Sequence, residues 1–201
     1  MRKSYRFIIN IVQFKMKLLW NFKIINKERL LQIENCVIAA NHISLFDPPF
    51  IGSIFPKEIH YLAKAELFKN KILGKIITYV NAIPIRRGTI DRNALNAVES
   101  LLNKGDSILL FPEGTRKSSK VKAGIGKITS ETGKNILPVY IQNSDHLWQC
   151  FFRKKKLVIV IGEIIDITEF QNIEDRKDKY RKIAEHTLKK IYELKNECEN
   201  S

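Results

Sequence analysis

Cysteine is scarce in this chain: three residues, Cys36, Cys150 and Cys198, lie far apart with no Cys-x-x-Cys pair. That excludes a disulfide scaffold and a cysteine-built zinc site, and it fits a reducing compartment. Glycine and proline are sparse too, at 9 and 6 residues, which excludes a collagenous or low-complexity chain. Acids are outnumbered, 21 Asp and Glu against 35 Lys and Arg, for a formal charge of +14. Long uncharged apolar runs are missing. Residues 7–14 form such a run only eight long before Lys15, Lys17 and Lys23 interrupt it, whereas a spanning helix needs about 20. No small-residue cleavage site follows that stretch, so it does not read as a cleaved signal. What remains, 44% hydrophobic and 28% charged over 201 residues, supports a real core, excludes global disorder and suits one domain.

The positive charge is unevenly placed. Residues 1–30 carry eight basic side chains and one acid, Glu28, so half of the net excess sits in the first seventh of the chain. Such an end is attracted to an anionic partner, either nucleic acid or a lipid surface. Wound as a helix, residues 6–25 place Arg6, Asn10, Gln13, Lys17 and Asn21 on one stripe and mostly apolar residues opposite, with Trp20 near the end. This pattern predicts a helix lying in the headgroup region of a membrane; packing on the domain's own core is the alternative. Residues 1–30 are accordingly read as a membrane-contact segment and 31–201 as the globular domain. A peripheral or monotopic protein at the cytoplasmic face of an anionic membrane is the expectation.

Beyond that segment, apolar runs of strand length recur at residues 36–40, 59–63, 82–85, 107–111, 136–141 and 157–161. Helical spacing appears between or after them at residues 93–103, 124–132 and 176–198, the first two closed by Gly105 and Gly133. Strand alternating with helix argues for an α/β fold: one layered domain with a mixed, partly parallel sheet flanked by helices.

Several strand ends carry chemistry. His42 and Asp47 follow the first of these strands directly, in the stretch Asn41-His42-Ile43-Ser44-Leu45-Phe46-Asp47. An imidazole can take a proton near neutrality, and a carboxylate on its other nitrogen fixes the tautomer and stabilises the cation. A five-residue offset is not one helix face, but a turn can close it. Asp47 before Pro48-Pro49 also reads as a plain helix N-cap, with proline in the first turn. Phe111-Pro112-Glu113-Gly114-Thr115-Arg116 breaks another strand sharply, and a guanidinium there can hold a phosphate in a fork. Lys122 follows beside Gly124, and Arg86-Arg87-Gly88 ends a third strand.

Together these blocks resemble the 1-acyl-glycerol-3-phosphate acyltransferases and related glycerolipid acyltransferases. The His-x-x-x-x-Asp of His42 and Asp47, preceded by Asn41, is similar to the family's first block. The stretch ending at Arg87 and Gly88 resembles its second, Phe111 to Arg116 matches its third at every position, and residues 136–139 resemble its apolar fourth. The likeness covers roughly residues 33–165, with the blocks in order. Arg86 stands where many members have an acid, and the link from Arg116 to Lys122 is short.

The resemblance implies transfer of a fatty acyl group from a thioester to the sn-2 hydroxyl of 1-acyl-glycerol-3-phosphate, giving phosphatidic acid. His42 would be the base and Asp47 its orienting partner. Arg87, Glu113, Gly114, Thr115, Arg116 and Lys122 would bind substrate. The donor would be acyl-CoA or acyl-carrier protein, with no other cofactor and no metal. A different lysophospholipid, glycerol 3-phosphate or a lyso-aminolipid is the rival acceptor. A basic nucleic-acid-binding module has the charge but no recognisable motif. A serine hydrolase lacks its Gly-x-Ser-x-Gly elbow.

Overall fold

The computed structural model describes residues 2–86, 91–114, 116 and 121–199. Among these, seven strands form one sheet: β1 (Phe22–Ile25), β2 (Val37–Ala40), β3 (Ile59–Lys64), β4 (Ala82–Ile85), β5 (Ser107–Leu110), β6 (Ile136–Gln142) and β7 (Leu157–Ile161). Their order across the sheet is β1-β7-β6-β2-β5-β3-β4. All neighbours are parallel except β6 and β7, which run antiparallel. The central strand β2 is the most enclosed, with Val37 opposite Ile108 on one side and Ile136 on the other. All four of its residues are buried, which is why it reads as an unbroken apolar run rather than an alternating one.

Successive side chains of these strands feed two cores. Ile38 and Ala40 point to one, with Leu109, Val139 and Ile159; Val37 and Ala39 point to the other, with Ile108, Tyr140 and Val160. Helices α1 (Lys3–Leu19), α2 (Asp47–Ile54) and α6 (Leu147–Phe151) supply Met16, Phe50, Ile51 and Cys150 to the first core. Helices α4 (Arg92–Asn103), α5 (Gly124–Thr132) and α7 (Arg176–Glu199) supply Val98, Leu102, Ile128, Ile183 and Ile191 to the second. Each such fully buried aliphatic side chain contributes about 1.5–3 kcal/mol. Helices α5 and α7 approach so closely at Gly126 that a Cβ there would lie 2.0 Å from the carbonyl oxygen of Tyr180.

The six apolar runs beyond the N-terminal segment are all strands, and the three expected helices are present, at α4, α5 and α7. The N-terminal segment differs from expectation. Its helix starts earlier and ends at Leu19, and Phe22–Ile25 is an edge strand paired with β7. Asn21, at φ +46°, turns the chain between the two in the left-handed region that asparagine tolerates. Pairing then satisfies the β7 edge, which a longer helix would leave bare. Helix α3 (Lys71–Tyr79) was not expected; Asn70 starts it, its side chain accepting from the amides of Ile72 and Leu73.

Helix α1 is apolar on two opposed faces. Tyr5, Ile9 and Met16 are buried against the domain, while Phe7, Ile11, Phe14 and Leu18 are exposed. Packing on the domain's own core is therefore observed for the first face, and the second is left exposed. No helix among the described residues is long and apolar enough to cross a membrane.

Candidate active site

Strand β2 ends at Ala40, and the next residue extends its pairing by side chain. The Asn41 amide donates to the Ile141 carbonyl at 2.9 Å and accepts from the Ile141 amide at 2.8 Å. This mimic of a ladder rung fixes where the chain leaves the sheet, at the carboxyl end where α/β folds place their sites. His42 emerges there, 7% exposed, with its ring stacked on Phe111 at a centroid distance of 4.0 Å.

Asp47 opens α2 and is fully buried. It turns back onto the loop: one oxygen, Oδ2, accepts from the amides of Ile43 at 2.7 Å and Ser44 at 2.8 Å, and lies 2.8 Å from His42 Nδ1. An oxygen already accepting two amide hydrogens is an acceptor, so Nδ1 carries the proton toward it. Nε2 is left with a lone pair, the form that can accept a proton. The other carboxylate oxygen, Oδ1, accepts the hydroxyl of Ser144, which follows β6. Asp47 is not the N-cap of α2: Phe46 holds that position, Asp47 is the first helical residue, and its carboxylate serves the loop instead of the helix amides.

The neighbouring strand β5 brings the third block, which begins at Phe111, alongside. Phe111 to Gly114 forms a tight turn, with the Gly114 amide donating to the Phe111 carbonyl at 2.8 Å and Gly114 at φ +68°. Glycine is needed here for its backbone; a Cβ would meet only the outer atoms of the exposed Lys122 side chain, which can shift. The backbone amide of Lys122 donates to the Pro112 carbonyl at 2.9 Å, so the lysine lies across the turn. Glu113 points inward, 1% exposed, and accepts the hydroxyl of Tyr192 from α7. Burial pushes its carboxyl above the ordinary range; the Tyr192 hydroxyl and the His42 backbone amide oppose the rise. The phenol of Tyr192 is itself driven up by burial and by Glu113.

Of the expected site residues, His42, Asp47 and Glu113 converge, and Gly114 and Lys122 lie together on the adjoining turn. Arg116 is described and exposed. Arg87 and Thr115 lie outside the described residues. Beside the turn is a cavity of about 470 Å³, lined by Leu95, Ile125 and Ile128 together with Arg86, Gly114 and Lys122. Two residues that hold the site were not foreseen, Ser144 and Tyr192, which lie 97 and 79 positions from their partners. Neither sits in a motif, and no local pattern announces them.

Known proteins resemble this chain in sequence and in fold. A family profile described as Acyltransferase matches residues 21–142. A 1-acyl-sn-glycerol-3-phosphate acyltransferase of Bacillus subtilis is 30% identical over 97% of this chain and 98% of its own. Another of that name, from Streptococcus pneumoniae, is 31% identical over 72% of this chain and 55% of its own. Among solved structures, the 1-acyl-sn-glycerophosphate (LPA) acyltransferase PlsC of Thermotoga maritima superposes with a TM-score of 0.67 at 26% identity. That match covers 95% of this chain and 79% of the other. With its paired imidazole and carboxylate, its Phe-Pro-Glu-Gly turn and these likenesses, the chain belongs to the acyltransferase family.

Proposed function

We propose that this protein transfers a fatty acyl group from a thioester to the sn-2 hydroxyl of 1-acyl-glycerol-3-phosphate, forming phosphatidic acid. The observation that carries the reading is the His42–Asp47 pair at 2.8 Å, with Nδ1 engaged and Nε2 left to accept a proton. An alcohol is a weak nucleophile at neutral pH, so its proton must leave as it attacks. His42 Nε2 takes the hydroxyl proton while the oxygen adds to the thioester carbonyl. The C–S bond then breaks, and the departing thiolate recovers the proton from the imidazolium. Asp47 holds the ring and stabilises its charge. The thioester is already activated, so no acyl-enzyme is required and the cysteines are left out.

Arg87, Thr115, Arg116 and Lys122 are assigned to the acceptor's phosphate, each charged hydrogen bond contributing about 1.5–3 kcal/mol. The hydrogen bond from the Lys122 amide to the Pro112 carbonyl holds the lysine at the turn. Glu113, buried against Tyr192, takes a supporting part by fixing the turn rather than touching the acceptor. The cavity beside the turn is apolar enough for an acyl chain. The donor is acyl-CoA or acyl-carrier protein. The exposed face of α1, Phe7, Ile11, Phe14 and Leu18, supports attachment to the cytoplasmic face of an anionic membrane.

The test supplies purified protein with 1-acyl-glycerol-3-phosphate, other lyso-lipids and glycerol 3-phosphate, each with both donors, and identifies products by mass. Phosphatidic acid is expected, with His42→Ala lowering its rate by about 10²–10⁴-fold. A preference for another acceptor overturns the headgroup assignment, and undiminished turnover by His42→Ala overturns the base.

A further inference from the structure

The connection between β6 and β7 carries an exposed aromatic cluster that the acyl-transfer chemistry does not use. Helix α6 is pinned by Cys150, which is buried, and by Leu147, which packs on the core. Its other side projects Trp148, Phe151 and, just beyond the helix, Phe152, which are 77%, 44% and 64% exposed. These rings lean on one another: Phe151 and Phe152 lie edge to face at 5.2 Å, and Trp148 stacks on Phe152 at 6.5 Å. Arg153, Lys154, Lys155 and Lys156 follow directly, and residues 147–156 contain no acid.

Two neighbours place this knob. Ser144, whose hydroxyl holds Asp47, precedes α6 by three residues, so the knob stands at the site's own edge of the sheet. The basic loop also meets the end of α1: the Asn21 side chain donates to the Lys155 carbonyl at 3.5 Å, and the Leu157 amide donates to the Trp20 carbonyl at 3.4 Å.

We infer that Trp148, Phe151 and Phe152 insert into the headgroup region of an anionic bilayer, with residues 153–156 paired to lipid phosphates, and thereby set the active-site edge against the membrane. Three exposed rings flanked by four cations combine apolar insertion with electrostatic attraction, as interfacial anchors do. An acidic partner with no apolar surface would engage the cations and leave the rings in water. This rests on the lipid-acceptor reading for its purpose, but its readout requires no turnover. Trp148 and Trp20 are the only tryptophans in the chain, so Trp20→Phe isolates the signal.

The experiment mixes that variant with phosphatidylcholine vesicles, with and without about 30% phosphatidylglycerol, and with acyl chains brominated near the headgroup. On anionic vesicles, Trp148 emission should move to shorter wavelength and be quenched by bromine. Each replacement of Lys154, Lys155 or Lys156 by Gln should weaken vesicle binding about fivefold. Because Trp20 packs on Phe50 at 5.3 Å, native protein compared with Trp148→Phe gives the same answer should Trp20→Phe misfold: the bromine-sensitive part of the signal disappears. Unshifted emission from vesicle-bound protein overturns the inference. So does a lipid-free shift lost on dilution, which means a second copy covers the rings, or a shift produced by acidic carrier protein alone. Acyl transfer by native protein to a detergent-dispersed acceptor reports the function separately.

Discussion

The Ser144 hydroxyl donates to the one oxygen of Asp47 that His42 does not use. The carboxylate thus receives two loop amides, an imidazole and a hydroxyl, and no buried side-chain nitrogen or oxygen among the described residues lacks a partner. Ser144→Ala should therefore cost about 1.5–3 kcal/mol of stability, the worth of a hydrogen bond to a buried charge. It should also lower kcat more than it raises KM, since it loosens the group orienting the base. Urea unfolding and steady-state kinetics check both; unchanged kcat would confine Ser144 to a folding role.

The Glu113–Tyr192 contact should be visible in the pH dependence of stability. Burial raises the Glu113 carboxyl above its ordinary 4.5, so the folded chain holds that proton more tightly than the unfolded one. The group's contribution to stability therefore falls as pH climbs from about 4.5 through its raised value. Tyr192→Phe removes a donor that favours the ionised form. The variant should lose about 1.5–3 kcal/mol at pH 8 and distinctly less at pH 4.5, measured by urea unfolding. Equal losses at both would assign the tyrosine to packing alone.

The two faces of α1 should separate in mutants. Met16 is fully buried and accepts the Ser53 hydroxyl on its sulfur at 3.3 Å, so Met16→Ala should cost about 2–5 kcal/mol of stability. Phe14, two residues before it, is exposed; Phe14→Ala should change stability by no more than about 0.5 kcal/mol while weakening vesicle binding. Thermal melts and vesicle sedimentation of the pair distinguish the faces.

Most of the sheet was legible because its strands are buried and therefore written in Ile, Val and Leu. Helix α3 was not, since it is short and carries Gly74 near its middle, a poor helix former that interrupts the helical spacing of Ile72, Leu73, Ile76 and Ile77. Strand β1 was hidden for another reason: Phe22, Ile24 and Ile25 continue the apolar composition of α1, and only Asn21 and Asn26, both at positive φ, punctuate the change. In the site, His42 and Asp47 were readable because one short loop holds both. Ser144 and Tyr192 come from β6's far end and from α7, contacts that only folding creates.

Strand β1 joins the amino-terminal segment to the sheet. By pairing alongside β7 it closes a margin whose residues, Leu157 to Ile161, are all buried. Shearing off the amino-terminal residues through β1 would leave that margin with bare amide and carbonyl groups, a template for strand addition between molecules. A shortened chain would accordingly precipitate rather than dissolve, however little lipid it then sought.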